Sequence, residues 1–129
     1  MATIFSRIIA GEIPCHKVAE NEDFIAFLDI MPLRKGHVLV IPKVETDFIF
    51  DMADADLGNM MVFAKQVAYK IKAVFPCKKV GVTVIGLEVP HAHIHLIPLN
   101  EMNDMNFSQE KMQLSDTELA EIALAISKA

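Results

Sequence analysis

Pro90-His91-Ala92-His93-Ile94-His95-Leu96-Ile97-Pro98 is the stretch on which the reading of this chain turns. Its residues suit a β-strand, where side chains two apart point to the same face. His91, His93 and His95 are then aimed together, while Ala92, Ile94 and Leu96 face the other way. The chain has five histidines, so all but two are spent in this row. Crowded imidazoles repel once any of them is protonated, so the row points to a site rather than to core filling.

Strand signals lie on both sides of it. His37-Val-Leu-Val-Ile41, closed by Pro42, is apolar on both faces and reads as a central strand. An extended stretch around Lys17 to Glu20, turn chemistry at Asn21-Glu-Asp23 and a strand at Phe24-Ile-Ala-Phe-Leu28 precede it. Lys79-Val-Gly-Val-Thr-Val-Ile85 is β-rich, and Gly86-Leu-Glu-Val-Pro90 carries it into the histidines. Between these blocks the period changes. Leu57, Met60, Met61, Ala64, Val67, Ala68, Ile71 and Val74 recur at helical spacing, with Asp51 or Asp54 as the cap and Pro76 as the stop. A short helix is expected from Phe5 to Gly11 with Thr3 near its start, and a last one after Ser115-Asp-Thr-Glu118. The order predicts an α+β fold: a mainly antiparallel five-stranded sheet, one long helix, a short N-terminal helix and an extra C-terminal helix.

Composition narrows the function. With 129 residues, 53% of them hydrophobic, the chain is large enough to bury a core without staples. Cys15 and Cys77 are isolated in sequence, which fits free thiols in a reducing compartment without excluding one bridge. The N-terminal apolar patches are interrupted by Arg7 and Glu12, unlike a signal peptide, and no segment approaches a membrane span. A cytoplasmic protein with no membrane partner is expected. Net charge of −5 argues against nucleic acid as the main partner, while leaving room for a small anion in a locally positive pocket.

Two chemistries compete for the histidine row. Imidazole is a common zinc ligand, but three strand-face histidines spread over roughly 13 Å at about 3.3 Å per residue, so convergence on one ion needs a sharp bend. His37 and Glu88 are the candidate additional ligands. The alternative is nucleophilic attack on phosphorus: one neutral imidazole attacks while its neighbours stabilise charge on the phosphoryl oxygens and leaving group. Neighbouring imidazoles disfavour one another's protonation, which keeps the attacking one neutral near pH 7. The second reading uses all three residues without convergence.

The sequence resembles the histidine-triad (HIT) family, whose signature His-φ-His-φ-His-φ-φ (φ apolar) is met by His91-Ala-His-Ile-His-Leu-Ile97. Thr3-Ile-Phe-Ser-Arg-Ile-Ile-Ala-Gly-Glu-Ile-Pro14, Ala26-Phe-Leu-Asp-Ile30 and Gly36-His-Val-Leu-Val-Ile-Pro-Lys43 resemble further family blocks, in the same order. The resemblance runs from about Thr3 to Asn100. It is closest to the Hint-like branch of purine-nucleotide phosphoramidases, with dinucleoside polyphosphate hydrolases as the nearer rival. It implies a HIT-like fold, with residues 1–100 as the family domain and 101–129 as a C-terminal extension whose helix packs on that domain.

The resemblance also implies roles. His93 would be the nucleophile, forming a nucleotidyl-histidine intermediate. His95 would hold the phosphate, and His91 and His37 would complete the catalytic cluster. Asp29 would take the ribose hydroxyls, and Ile4, Phe5, Ile8, Phe27 and Ile30 would form the apolar slot for the base. Glu88 falls where many relatives carry a Ser or Thr that contacts the α-phosphate, in a connection shorter than theirs. A carboxylate there is repulsive to phosphate unless it points away, is protonated or pairs with a cation, which keeps a nucleotide-binding regulatory module with little turnover in play. Many relatives also hold a structural zinc through Cys residues at the positions of Thr3 and Ser6 and a histidine near Glu45. All three are absent here, so no metal and no cofactor are expected. The implied substrate is a purine nucleotide, and the implied assembly is a homodimer.

Overall fold

A computed structural model describes residues 2–129. In chain order the elements are α1 (Ile4–Ile9), β1 (Lys17–Glu20), β2 (Phe24–Leu28), β3 (Val38–Pro42), α2 (Asp54–Val74), β4 (Lys79–Thr83), β5 (Ile94–Leu99) and α3 (Asp116–Lys128). Short 3-10 turns occupy Ile49–Asp51 and Met102–Met105. The five strands lie in the order β1-β2-β3-β5-β4, and every pairing is antiparallel. The expected α+β architecture holds, with β3 at the centre. No helix among the described residues is long and apolar enough to cross a membrane, and Cys15 and Cys77 are both free thiols.

The strands β2 and β3 read as unbroken apolar runs because both faces of the sheet are covered there. Phe24, Ala26, Leu28, Val38, Val40, Ile94 and Leu96 share one buried cluster with Met60, Ala64, Val67 and Ile71 of α2 and Leu119, Ala123 and Ile126 of α3. The alternate residues Ile25, Phe27, Leu39 and Ile41 form a second cluster with Phe5 of α1. Since β-strand side chains alternate, His95, paired with Leu39, belongs to this second face. The parity of β5 therefore decides that the histidine chemistry lies on the α1 side of the sheet.

Helix ends follow local chemistry, with one correction. The Thr3 side chain accepts from the Ser6 N–H at 3.1 Å while the Ser6 hydroxyl lies 2.8 Å from the Thr3 N–H, a reciprocal cap for α1. Gly11, at φ 78°, supplies the left-handed turn after it. Ser115 caps α3 through the Glu118 N–H. Neither Asp51 nor Asp54 caps α2: its N-cap is Ala53, with no side-chain bond. Asp51 is drawn into the preceding 3-10 turn, and Asp54 and Asp56 stand in the first turn, where their charge suits the helix dipole. Met61 is 45% exposed rather than core, and Phe63 is buried in its place against Phe24, ring centroids 5.7 Å apart.

Gly36 sets the entry to β3. Its φ is +93°, and a Cβ there would lie 2.8 Å from the Phe75 ring and 3.2 Å from Pro98. Gly36→Ala should destabilise the protein by about 1–3 kcal/mol, combining left-handed strain with a clash against stiff neighbours. Thermal melting checks this, and an unchanged midpoint would refute it.

Candidate functional site

The histidine row departs from an ideal strand. β5 begins only at Ile94, so His91 and His93 lie on its approach, yet the alternation carries through: Ala92, Ile94 and Leu96 pack in the cluster under α2 and α3, while the His91 and His93 rings lie against Phe5 on the α1 side with His95. The cause is on the neighbouring strand. The β3–β5 ladder ends at Val40↔Ile94, and two residues on stands Pro42, which has no N–H to extend it. The backbone of 91–92 bonds elsewhere: the His91 N–H donates to the Val89 carbonyl (2.8 Å) and the Ala92 N–H to the Thr46 carbonyl (2.6 Å). His91 turns into the protein and is fully buried, whereas His93 and His95 face a cavity.

That cavity, of about 580 Å³, is lined by Ile4, Phe5, Ile8, Phe27, Asp29 and Ile30, by Leu87, Glu88 and Val89 before the row, and by His93 and His95. Every site residue expected from sequence lines it except His91 and His37, which are buried behind it. Phe5 and Phe27 form a packed floor 5.7 Å apart, while Ile4 and Ile30 are 50% and 63% exposed, as a rim would be. Glu88 is exposed and contributes to the wall. Phe107 and Lys111 were not anticipated; both come from the polar stretch after Asn100 and face the site from its other end. The rings run in edge contact from Phe5 to His93 (4.9 Å), His95 (5.0 Å) and Phe107 (4.9 Å).

Hydrogen-bond partners assign the proton on each imidazole. His93 Nδ1 lies 2.8 Å from the His91 carbonyl, which can only accept, so Nδ1 carries the hydrogen and Nε2 keeps a free lone pair. The Leu33 N–H donates to His37 Nδ1 at 3.1 Å, so the proton of His37 sits on Nε2. That proton is donated to His95 Nδ1 at 2.9 Å, which places the remaining hydrogen of His95 on its Nε2. His91 Nε2 donates to the Pro42 carbonyl at 2.8 Å, leaving Nδ1 to accept from the Thr3 hydroxyl at 3.3 Å. The cluster therefore offers a nucleophilic nitrogen on His93 beside an N–H donor on His95.

Burial keeps these rings neutral. It lowers the pKa of His37 to about 3 and that of His95 to about 4, helped by the neighbouring imidazole and the charge of Lys111 in each case. His93 is also lowered, mainly by burial, against an opposing effect of its bond to the His91 carbonyl. Burial raises Asp29, partly offset by the Met31 N–H that its carboxylate accepts at 2.9 Å.

Neither metal reading suits these residues. Asp29, His37 and His95 bring ligand-type atoms within 4.8 Å of one another. The Leu33 N–H, however, holds the proton of His37 on Nε2, so a metal there would require an imidazolate. At the structural-zinc position, Thr3 and Ser6 are committed to the helix cap. Among the described residues no buried side-chain nitrogen or oxygen lacks a hydrogen-bond partner.

Known proteins resemble this chain in both sequence and fold. A sequence profile of the HIT domain matches residues 10–102. The chain is 33% identical over 132 residues to an adenosine 5′-monophosphoramidase of Schizosaccharomyces pombe, covering 98% of this chain and 97% of the relative. It is 32% identical to an uncharacterized HIT-like protein of Borreliella burgdorferi, covering 96% of this chain and 95% of that one. The crystal structure of a HIT-like protein involved in cell-cycle regulation from Bartonella henselae superposes with a TM-score of 0.83 at 32% identity, covering 98% and 94% of the two chains. The fold, the histidine cluster and these matches together lead to one conclusion: the chain belongs to the HIT family.

Proposed function

We propose that this protein hydrolyses purine nucleoside 5′-phosphoramidates, or related bonds at a nucleotide α-phosphate, through a nucleotidyl-histidine intermediate. The observation that carries the reading is the hydrogen-bond pattern: His93 Nε2 is the cavity-facing imidazole nitrogen left with a free lone pair. The base lies in the slot of Ile4, Phe5, Ile8, Phe27 and Ile30, and Asp29 accepts from the ribose hydroxyls. His93 Nε2 attacks phosphorus as the P–N bond breaks, and the amine leaves with a proton from water. The positive charge arising on the His93 ring is stabilised by its Nδ1–H bond to the His91 carbonyl. His95 Nε2–H donates to a phosphoryl oxygen, and His37 fixes it in the donor tautomer. Water then cleaves the N–P bond, releasing AMP and restoring His93.

The test is incubation with adenosine 5′-phosphoramidate. Release of AMP, with a transient, acid-sensitive adduct one adenylyl group heavier in mass spectra, is expected. Nucleotide binding without AMP release would reduce the protein to the regulatory module.

The accompanying proposal is a homodimer whose sheets join across a two-fold axis. β4 is an edge strand, and Val82, Val84 and Ile85 on and beside it are 49%, 37% and 47% exposed. An apolar edge of this kind favours pairing with another chain. Sedimentation equilibrium should give twice the 14.4 kDa chain mass, and a monomer at micromolar concentration would exclude it.

A further inference from the structure

The cavity contains a charge imbalance. Asp29 and Glu88 are its two carboxylates, its histidines are held neutral, and Lys111 is the one lysine or arginine among its described lining residues. A nucleotide phosphate entering such a site meets two negative groups and needs a positive one. Lys111 lines the same cavity as His93 and His95, and its charge acts on Asp29, His37 and His95 alike. Among the described residues no carboxylate forms an ion pair with it.

The chain carrying Lys111 is anchored on both sides. Before it, Arg34 donates through Nε to the Asp104 carboxylate at 2.6 Å and through Nη1 to Gln109 at 3.3 Å. Asp104 also accepts from the backbone N–H groups of Asn100 (2.7 Å) and Glu101 (3.0 Å), and the Gln109 side chain donates to the Asn103 carbonyl at 2.8 Å. After it, the Met112 N–H donates to the Pro32 carbonyl at 2.8 Å. Between these ties Phe107 lies edge-on to His95. The segment is thus built as a wall of the site, and it lies beyond residue 102, where the family profile ends.

We propose that Lys111 is the substrate-binding cation of this site, pairing with the phosphate of the bound nucleotide and offsetting Asp29 and Glu88. The inference rests on the nucleotide reading above and adds the residue that makes a site with two carboxylates accept an anion. It also makes nucleotide affinity depend on ionic strength, because Lys111 is exposed and the pair is screened.

Calorimetric titration of the full chain with AMP and with adenosine tests it. Lys111→Gln should weaken AMP binding about tenfold while leaving adenosine binding unchanged, since a charge-assisted contact of ordinary strength is lost. Lys111→Arg should restore most of the AMP affinity, and Lys65→Gln, an exposed charge on α2, should have no effect. Equal AMP affinity in wild type and Lys111→Gln overturns the assignment, as does an equal loss for adenosine and AMP, which would make the segment a mere wall. Wild-type protein that binds neither ligand overturns the nucleotide reading itself, a result distinct from the other two.

Discussion

His93→Ala should lower AMP release from adenosine 5′-phosphoramidate by at least about 10³-fold and abolish the adenylyl adduct. The size of the effect follows from the absence of a substitute. His95 presents an N–H toward the cavity, His37 is buried with both nitrogens engaged, and those of His91 are held by Pro42 and Thr3. With the His93 lone pair gone, only water remains to attack. His95→Ala keeps the nucleophile and loses a phosphoryl donor, so it should retain adduct formation at a rate lower by about 10²–10³-fold. The His93 ring packs on Phe5, and a melting curve for each variant separates lost chemistry from lost folding. AMP release by folded His93→Ala at the wild-type rate would remove this residue from the mechanism.

Folding stability should fall by about 5 kcal/mol between neutral pH and pH 4.5, through His37 and His95 together. Both rings stay neutral in the folded protein, with pKa values near 3 and 4 against 6.5 for the free side chain. Below about pH 6.5 the unfolded chain therefore binds protons that the folded one refuses. The stability these groups contribute is fully present above 6.5 and is lost as pH falls toward 4 and then 3. At about 1.4 kcal/mol per pH unit for each group, the loss is comparable with the 5–15 kcal/mol that holds a typical domain together. Urea unfolding at pH 7.5 and 4.5 measures it. His37→Gln should flatten the dependence by roughly half, and a pH-independent midpoint in the wild type would show that the two rings are not buried as neutral imidazoles.

Much of the fold was legible because it is local. The unbroken apolar runs of β2 and β3 mark two covered faces, Thr3 and Ser115 announce helix starts, and the stripe of α2 repeats at helical spacing. The differences have separate causes. Met61, four residues after Leu57, fits the i, i+3, i+4 pattern as well as Phe63, three after Met60, does, and only the packing of Phe63 on Phe24 decides between them. The cap of α2 was misplaced because a preceding 3-10 turn claimed Asp51. Phe107 and Lys111 carry no signal in sequence: they reach the site because Arg34 bonds Asp104, seventy residues away along the chain.

The histidine row shows the division most clearly. Sequence alone determined that His91, His93 and His95 belong to one site, and the surrounding blocks determined the family to which that site belongs. The spacing could not assign the rings different jobs, because residues of one type on an ideal strand face are equivalent; only the family resemblance implied them. Tertiary structure broke that equivalence. The ladder stops beyond Val40, the approach bends, and each ring meets a different fixed partner: the Pro42 carbonyl for His91, the His91 carbonyl for His93 and the His37 ring for His95. Which nitrogen keeps its proton is set by what stands opposite it, and in this protein most of those partners lie on other segments of the chain.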